Sequence, residues 1–275
     1  MKIQFLGTAA AEGIPAFFCQ CDVCKHALIN GGRNIRSRSQ ALIDDKILIE
    51  FGPDSYFHML QYKVPLDMIH HILVTHDHDD HFYMEDLQYR GKWFASKIDE
   101  GVLNVYAGSS IFNKLSQYIE DKDLKDYVCS NLAIPFKTFK IEDYEILPLR
   151  ANHAQYSDPL IYVIKQNNKS ILYAHDTGYF CKQTWEALEA LDKPLDLITI
   201  DCTGALKSNW RDNHLSLDIV VEIISEMKEK NIINDSTIVI VNHFSHNGLA
   251  TYDALCKETK KHNIIVSYDG MIVEF

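Results

Sequence analysis

The chain has 275 residues, 47% of them apolar and 24% charged, which is the ordinary composition of a globular protein. Its formal net charge of −11 disfavours nucleic acid as a partner, because an acidic surface repels the phosphate backbone. No run approaches the roughly 20 consecutive apolar residues that a membrane span needs, and residues 1–7 turn polar too quickly for a signal peptide. We therefore expect a cytoplasmic protein with no membrane partner.

The domain organisation is expected to be simple. The length suits one large domain or two small ones. Neither an internal repeat nor a linker rich in Pro, Gly and Ser divides the chain, so we expect one domain over residues 1–275. The oligomeric state is open, and a homodimer is one possibility.

Strands dominate the first two-thirds of the predicted elements. The apolar run 3–6 ends at a glycine, and residues 41–43 and 47–51 flank two aspartates, which predicts a hairpin. Residues 69–75 are rich in strand-forming types and end abruptly in a histidine cluster. Further strands are predicted, in chain order, at residues 102–106, 134–139, 145–149, 160–165, 170–174, 197–200, 237–241, 264–268 and 271–275.

Helices separate the strands in the last third of the chain. Helical periodicity is clearest over residues 216–230, where Ser216 is the predicted N-cap and one face carries Leu217, Val220, Val221, Ile224 and Met227. Further helices are predicted at residues 183–191, 248–261 and 109–119. Two sheets covered by outer helices would satisfy this pattern.

Six consecutive residues after the predicted strand 69–75 alternate histidine with aspartate. Imidazole and carboxylate groups packed so closely are costly unless something binds them, and together they suit Zn²⁺, Mn²⁺ or Fe. The sequence therefore predicts a metal site at the run His76, Asp77, His78, Asp79, Asp80 and His81.

Other candidate ligands also follow predicted strands. His153 comes after residues 145–149, Asp176 after residues 170–174, and His243 after residues 237–241. Loops on a rigid scaffold can converge on one pocket. One imidazole or carboxylate at the end of each strand therefore lets distant segments reach the same centre.

This order of residues resembles the metallo-β-lactamase superfamily. The shared features are H-x-H-x-D-H, a later lone histidine, an aspartate before Thr177-Gly178 and a final histidine after a strand. The resemblance implies an α/β (α+β) fold, a four-layer αβ/βα sandwich of two mixed sheets with outer helices and the site along one edge. It implies two divalent metal ions (Zn, Mn or Fe), one on His76, His78 and His153 and the other on Asp80, His81 and His243, with Asp176 bridging.

One position departs from that superfamily. Its members usually carry an aspartate after the early hairpin, and the matching stretch here contains Glu50. That aspartate supports the ligands without binding metal. The departure therefore concerns the groups around the ligands and leaves the ligand set intact.

Three of the seven cysteines crowd together as Cys19, Cys21 and Cys24. A disulfide scaffold would be small, secreted and richer in cysteine, and a redox pair would need only two thiols. Structural Zn²⁺ takes four ligands, so the fourth must be another cysteine or a histidine. His246 is a candidate, because it lies three residues beyond His243.

These features resemble a narrower group of the superfamily, the phosphodiesterase of phosphonate breakdown that opens phosphoribosyl cyclic phosphate. The likeness rests on the cysteine cluster, on His243 and His246, and on residues 211–214. It implies one structural zinc on Cys19, Cys21, Cys24 and His246. It also implies a small cyclic or simple phosphodiester substrate attacked by a metal-bridging hydroxide, with His214 as the general acid and Asp80 as the alternative.

Three other functions stay open. The same metals could serve hydrolysis of a lactone, a thioester or a β-lactam, because function lies in the site and not in the fold. A tRNA-processing nuclease has the same ligands, although the acidic balance argues against it. The protein could also be a non-catalytic metal-binding carrier or ligand sensor, related to a protein of pyrroloquinoline quinone biosynthesis that shares the C-x-C-x-x-C pattern.

Overall fold

The computed structural model describes residues 1–97 and 101–275. Within those ranges the strands are, in chain order, β1 (Lys2–Gly7), β2 (Gln40–Ile43), β3 (Ile47–Ile49), β4 (His71–Leu73), β5 (Leu103–Ala107), β6 (Val128–Leu132), β7 (Phe139–Ile141), β8 (Tyr144–Arg150), β9 (Leu160–Gln166), β10 (Lys169–Ala174), β11 (Leu197–Asp201), β12 (Ile238–Asn242), β13 (Ile265–Val266) and β14 (Ile272–Glu274). The helices are α1 (Asp22–Asn30), α2 (Ser55–Tyr62), α3 (Ser109–Asp121), α4 (Lys182–Glu189), α5 (Leu217–Glu229) and α6 (Tyr252–Thr259). Short 3₁₀ turns lie at residues 32–34, 84–90, 155–157, 246–248 and 260–262.

The strands form two mixed sheets of seven. The first has the order β14-β1-β2-β3-β4-β5-β6, and the second has the order β13-β12-β11-β10-β9-β8-β7. In the first sheet the strands β3 to β6 run parallel to one another, and in the second sheet the strands β10 to β13 do so. The antiparallel strands of each sheet complete it on the other side.

The two sheets pack face to face through a continuous apolar layer. Phe5 and Ile49 from the first sheet share this cluster with Ile164, Tyr173 and Ile240 from the second. Alternate residues of the same strands point outward, where α3 covers the first sheet and the helices α1, α4, α5 and α6 cover the second. The result is a four-layer sandwich with helices outside, which confirms the predicted fold class.

Two predicted elements begin four or five residues later in the structure than the sequence pattern predicts. The strand expected at 134–139 begins only at Phe139, because Phe136 takes a left-handed conformation (φ 65°) after Pro135 and breaks the extended run. The helix expected at 248–261 begins at Tyr252, because the Thr251 side chain accepts a hydrogen bond from the backbone N–H of Ala254 and caps the helix there.

Three elements were not predicted: α1, α2 and the edge strand β6. α2 leaves large apolar side chains exposed, among them Tyr56 and Leu60, so its sequence lacks the usual amphipathic stripe. β6 carries the polar residues Ser130 and Asn131, which weakens the strand pattern. Among the helices in the described ranges, none is long and apolar enough to cross a membrane.

Candidate metal centre

The predicted ligands meet at one edge of the sandwich. Strands β10, β11 and β12 run parallel, so their carboxyl ends lie side by side and carry Asp176, Asp201 and His243. The loop after β4 brings the histidine run from the other sheet. It is tied across by hydrogen bonds from the backbone N–H of Leu160 to the Thr75 carbonyl (2.8 Å) and from the Tyr162 hydroxyl to the Val74 carbonyl (2.6 Å).

Three residues at these strand ends have left-handed backbones. The φ angles are 71° at Glu50, 53° at Asp176 and 64° at His243. Such a conformation is uncommon outside glycine and costs on the order of 1–3 kcal/mol at each position. Strain of this kind gathers where the surrounding fold must hold a side chain in one direction, and each of these side chains reaches the centre.

The first donor group contains His76, His78, His153 and Asp176. The Nε2 atom of His76 lies 2.8 Å from Nδ1 of His78, which in turn lies 3.3 Å from Nε2 of His153. The Oδ2 atom of Asp176 is 3.1 Å from Nε2 of His76 and 3.4 Å from Nε2 of His153. The four ligand atoms all lie within 4.8 Å of one another, which is the spacing a single bound ion requires.

The second donor group contains Asp80, His81 and His243. The Nε2 atom of His81 lies 3.3 Å from both Oδ2 of Asp80 and Nε2 of His243. The same nitrogen is 3.2 Å from Oδ2 of Asp176. This one carboxylate oxygen therefore contacts both groups, as expected of a bridging ligand.

The outward-facing ring nitrogens of the five histidines each meet an oxygen. The pairs are His76 Nδ1 with Thr75 Oγ1 (2.9 Å), His78 Nε2 with the Tyr156 hydroxyl (2.7 Å), His153 Nδ1 with the Asn213 carbonyl (3.2 Å), His81 Nδ1 with Glu50 Oε1 (3.2 Å) and His243 Nδ1 with Asp201 Oδ2 (3.3 Å). Metal-binding histidines typically give their second N–H to such an oxygen, which fixes the tautomer. The arrangement leaves the inward nitrogen of every ring free to bind a cation.

Burial and neighbouring charges shift the pKa values of several residues in the cluster. Burial lowers the pKa of His153 to about 4 despite the nearby Asp176 carboxylate. For Asp176 burial acts upward, but the neighbouring imidazoles, His243 first, hold the pKa of its carboxyl well below the usual range. His81 departs in the other direction: burial lowers its pKa, but the carboxylates of Asp80 and Glu50 outweigh burial and raise the pKa well above its usual value. Metal binding needs neutral imidazoles and ionised carboxylates, so an ion at this centre would displace the proton of His81. The donor set therefore fits two divalent metal ions.

Glu50 supports the centre in place of the shorter aspartate. Its Oε1 atom lies 3.2 Å from Nδ1 of His81, and its Oε2 atom accepts a hydrogen bond from the backbone N–H of Thr75 (3.2 Å). The side chain is fully buried.

Asp201 is a buried carboxylate beside the centre that was not predicted from the sequence. Its Oδ1 atom accepts hydrogen bonds from the backbone N–H groups of Thr203 and Leu215, both at 2.9 Å. Its Oδ2 atom lies 3.3 Å from Nδ1 of His243 and 3.5 Å from Nδ1 of His214. The available signal was an aspartate directly after the strand 197–200, the same position that identified Asp176.

His214 lies beside both donor groups. Its Nδ1 atom is 3.0 Å from Oδ1 of Asp176, and the side chain is 28% exposed. Burial lowers the pKa of His214, but its hydrogen bonds to the carboxylates of Asp176 and Asp201 outweigh this effect and raise the pKa to about 10. His214 therefore lies next to the centre with its Nδ1 atom between two carboxylates.

The aspartates of the histidine run take different positions. Asp80 joins the donors, whereas Asp77 turns away and accepts hydrogen bonds from Ser110 Oγ (2.5 Å) and Lys114 Nζ (2.6 Å) of α3. Asp79 is exposed to solvent. The run thus supplies four donors, His76, His78, Asp80 and His81, and one anchor to the outer helix.

A cavity of about 330 Å³ opens onto the centre. Its lining includes the donors His78, Asp80, His153, Asp176 and His243, together with Glu12, Trp210, His214 and Asn247. A cavity of this size holds a small molecule.

The cysteine cluster forms a separate site next to this cavity. The Nδ1 atom of His246 lies 3.4 Å from Sγ of Cys19 and 3.5 Å from Sγ of Cys21. Cys24 completes a group whose ligand atoms all lie within 4.8 Å of one another. Three sulfurs and one imidazole are a donor set that tetrahedral zinc accepts.

A family comparison decides the relationship of the chain. The model described as the beta-lactamase superfamily domain matches residues 45–234, more than half of the sequence. The chain belongs to the beta-lactamase superfamily. A comparison with curated protein sequences gives no significant match.

Solved structures of this superfamily share the fold over the full chain. A diphosphatase of the PhnP family is 20% identical, with a TM-score of 0.75 over 100% of this chain and 97% of the other. Zn²⁺-bound PqqB from Methylobacterium extorquens is 17% identical, with a TM-score of 0.77 and complete coverage of both chains. The short form of human tRNase Z is 14% identical, with a TM-score of 0.65 over 100% and 99%.

The predicted membership of the metallo-β-lactamase superfamily is thereby confirmed. Membership supports a hydrolase that binds divalent metal ions, and the His and Asp clusters are consistent with it. The solved structures, at 20% identity or less, show that the fold is shared.

Replacement of Asp201 with asparagine tests the support of His243. The amide can still accept from the two backbone N–H groups through Oδ1, but its –NH₂ cannot accept from Nδ1 of His243. Loss of such a supporting partner costs on the order of 10–100-fold in metal affinity, and we expect about 10-fold because Thr203 Oγ1 also lies 2.8 Å from Nδ1. Competition with a chelating dye measures the change. Asp235→Asn, at a 98% exposed side chain, is the matched control, and an Asp201→Asn protein with wild-type affinity would contradict the role.

Proposed function

We propose that this protein is a metal-dependent phosphodiesterase that acts on a small cyclic or simple phosphodiester. The observation that carries the proposal is the position of His214, an imidazole held beside the two donor groups at the wall of a cavity. Bound divalent ions would supply Lewis-acid activation of water and stabilise charge on the phosphoryl oxygens. The two donor groups proposed to hold them are His76, His78 and His153, and Asp80, His81 and His243, with Asp176 shared.

Cleavage of a phosphodiester releases an alkoxide that needs a proton. His214 is the proposed general acid, because its Nδ1 atom is held by Asp176 and Asp201. This contact leaves Nε2, on the opposite side of the ring, to donate to the leaving oxygen. Asp80 is less suited, because its carboxylate is one of the metal donors. The charge of His81 outweighs burial and holds the pKa of Asp80 well below its usual range.

The cavity and the related structures support a small phosphate ester as substrate. The cavity walls combine the ring of Trp210 with the polar side chains of Glu12 and Asn247, which suit an organic group bearing hydroxyls. One of the similar structures is a diphosphatase, which favours phosphorus over a carbonyl carbon as the reacting centre. The Cys19, Cys21, Cys24 and His246 group is proposed to hold a structural zinc that fixes the loop behind this wall.

A substrate panel tests the proposed bond. The protein loaded with Zn²⁺ or Mn²⁺ is incubated with bis(p-nitrophenyl) phosphate, nitrocefin, a lactone and a thioester. We expect turnover of the phosphodiester above the other three. Preferential lactone, thioester or β-lactam hydrolysis would replace the phosphodiesterase with one of those activities, and no turnover with either metal would favour a carrier.

His214→Ala tests the general acid. Removal of a general acid typically lowers the rate by about 10²–10⁴-fold, and we expect kcat to fall by that order while metal content is unchanged. His262→Ala is the control, because His262 is an exposed histidine outside the donor groups and its loss should leave kcat unaltered. Full turnover by His214→Ala would remove this residue from the mechanism.

A further inference from the structure

The five oxygens that hold the outward histidine nitrogens differ in their exposure. Thr75, Glu50 and Asp201 are buried side chains, and the partner of His153 is a backbone carbonyl. The partner of His78 is the hydroxyl of Tyr156, whose residue is 78% exposed. At 2.7 Å this contact is the shortest of the five, although Tyr156 is the only exposed side chain among the partners.

The backbone beneath Tyr156 is nevertheless fixed. The 3₁₀ turn at 155–157 lies between two left-handed residues, Ala154 (φ 31°) and Asp158 (φ 47°). The buried Ser157 closes the turn, because its backbone N–H and its hydroxyl both donate to the Ala154 carbonyl at 2.8 Å.

The turn is also docked on α3. The Asp158 carboxylate accepts a hydrogen bond from the Ser109 hydroxyl, in the first turn of that helix. A Cβ atom at the preceding residue, Gly108, would lie only 2.6 Å from the Asp158 carbonyl oxygen, so the two backbones approach closely. An exposed tyrosine on a backbone anchored in this way can hold its hydroxyl at one position.

The contact bears on which nitrogen of His78 carries the proton. A neutral imidazole has one N–H donor and one acceptor nitrogen. In His78 it is Nδ1 that faces the other donors, 2.8 Å from His76 Nε2 and 3.3 Å from His153 Nε2. This nitrogen binds a cation only when the proton is on Nε2, and an oxygen beside Nε2 favours that tautomer.

We propose that Tyr156 is a positioning residue of the first metal site. Its hydroxyl accepts the Nε2–H of His78, which fixes both the ring orientation and the tautomer that presents Nδ1 to the ion. The inference rests on the proposed metal centre and adds a residue outside the superfamily motif that tunes the affinity of one of its two groups.

Tyr156→Phe removes only the hydroxyl. Loss of a supporting partner weakens metal binding by about 10–100-fold, and we expect about 10-fold here because water can partly replace an exposed hydroxyl. Competition of Zn²⁺ between the protein and a chelating dye measures the affinity. Tyr56→Phe is the matched control, since Tyr56 is a 65% exposed tyrosine on α2 and belongs to neither donor group.

The tautomer gives a second readout that is independent of turnover. Long-range ¹H–¹⁵N NMR of the metal-free protein should show His78 with its proton on Nε2 in the wild type and a mixture of tautomers in Tyr156→Phe. Thermal unfolding confirms that each variant is folded. If the affinity of Tyr156→Phe stays within twofold of wild type and the tautomer is unchanged, the role of Tyr156 is wrong. If the wild-type protein itself binds no metal beyond the cysteine site, the proposed centre fails instead.

Discussion

The structure depends on bringing five imidazoles and a shared carboxylate into contact at a buried sheet edge. Transfer of such groups out of water is costly unless their charges and hydrogen-bonding atoms find partners. Oxygens satisfy the outward nitrogen of every ring, whereas the inward nitrogens face one another and the carboxylates of Asp80 and Asp176 at 2.8–3.9 Å. A cation in that space offsets the cost. The positions of the donor atoms therefore suit a bound cation and not hydrogen bonds among the side chains themselves.

The rest of the sandwich explains how the arrangement is maintained. Parallel strands bring Asp176, Asp201 and His243 to one line, and the bonds from β9 to the loop after β4 fix the histidine run opposite them. Left-handed residues at the strand ends store strain that the packed layers sustain. The loop with His214 is joined to the same network, because Asn213 binds His153 through its carbonyl and His214 contacts two carboxylates. The proposed metal binding and the proposed proton delivery would therefore share one scaffold.

Much of this was predictable from the sequence. The histidine run and the single ligands at strand ends predicted the convergence of His153, Asp176 and His243, because a strand fixes where its last residue lies. The superfamily pattern assigned the ligands to two groups, and the structure brings the side chains of each group together.

Several features of the structure were not predicted, because no pattern in the sequence indicates them. Asp201 looks like any aspartate after a strand, and its role emerges only from the contact with His243 across the sheet. Tyr156 lies on a short irregular turn, and nothing in its neighbours predicts contact with His78, 78 positions earlier. α2 was missed because its apolar residues are exposed instead of forming a buried stripe. Long-range contacts and local turn geometry, not composition, decide these positions.

The central claim is that the two donor groups each hold a metal ion. Anomalous diffraction from crystals grown with Zn²⁺ or Mn²⁺, measured at the absorption edge of each metal, locates the ions directly. We expect two peaks roughly 3.5–4 Å apart, one among His76, His78 and His153 and one among Asp80, His81 and His243, with Asp176 between them. A separate zinc peak should lie among Cys19, Cys21, Cys24 and His246. A peak at the cysteines alone, with none between the histidines, would contradict the account.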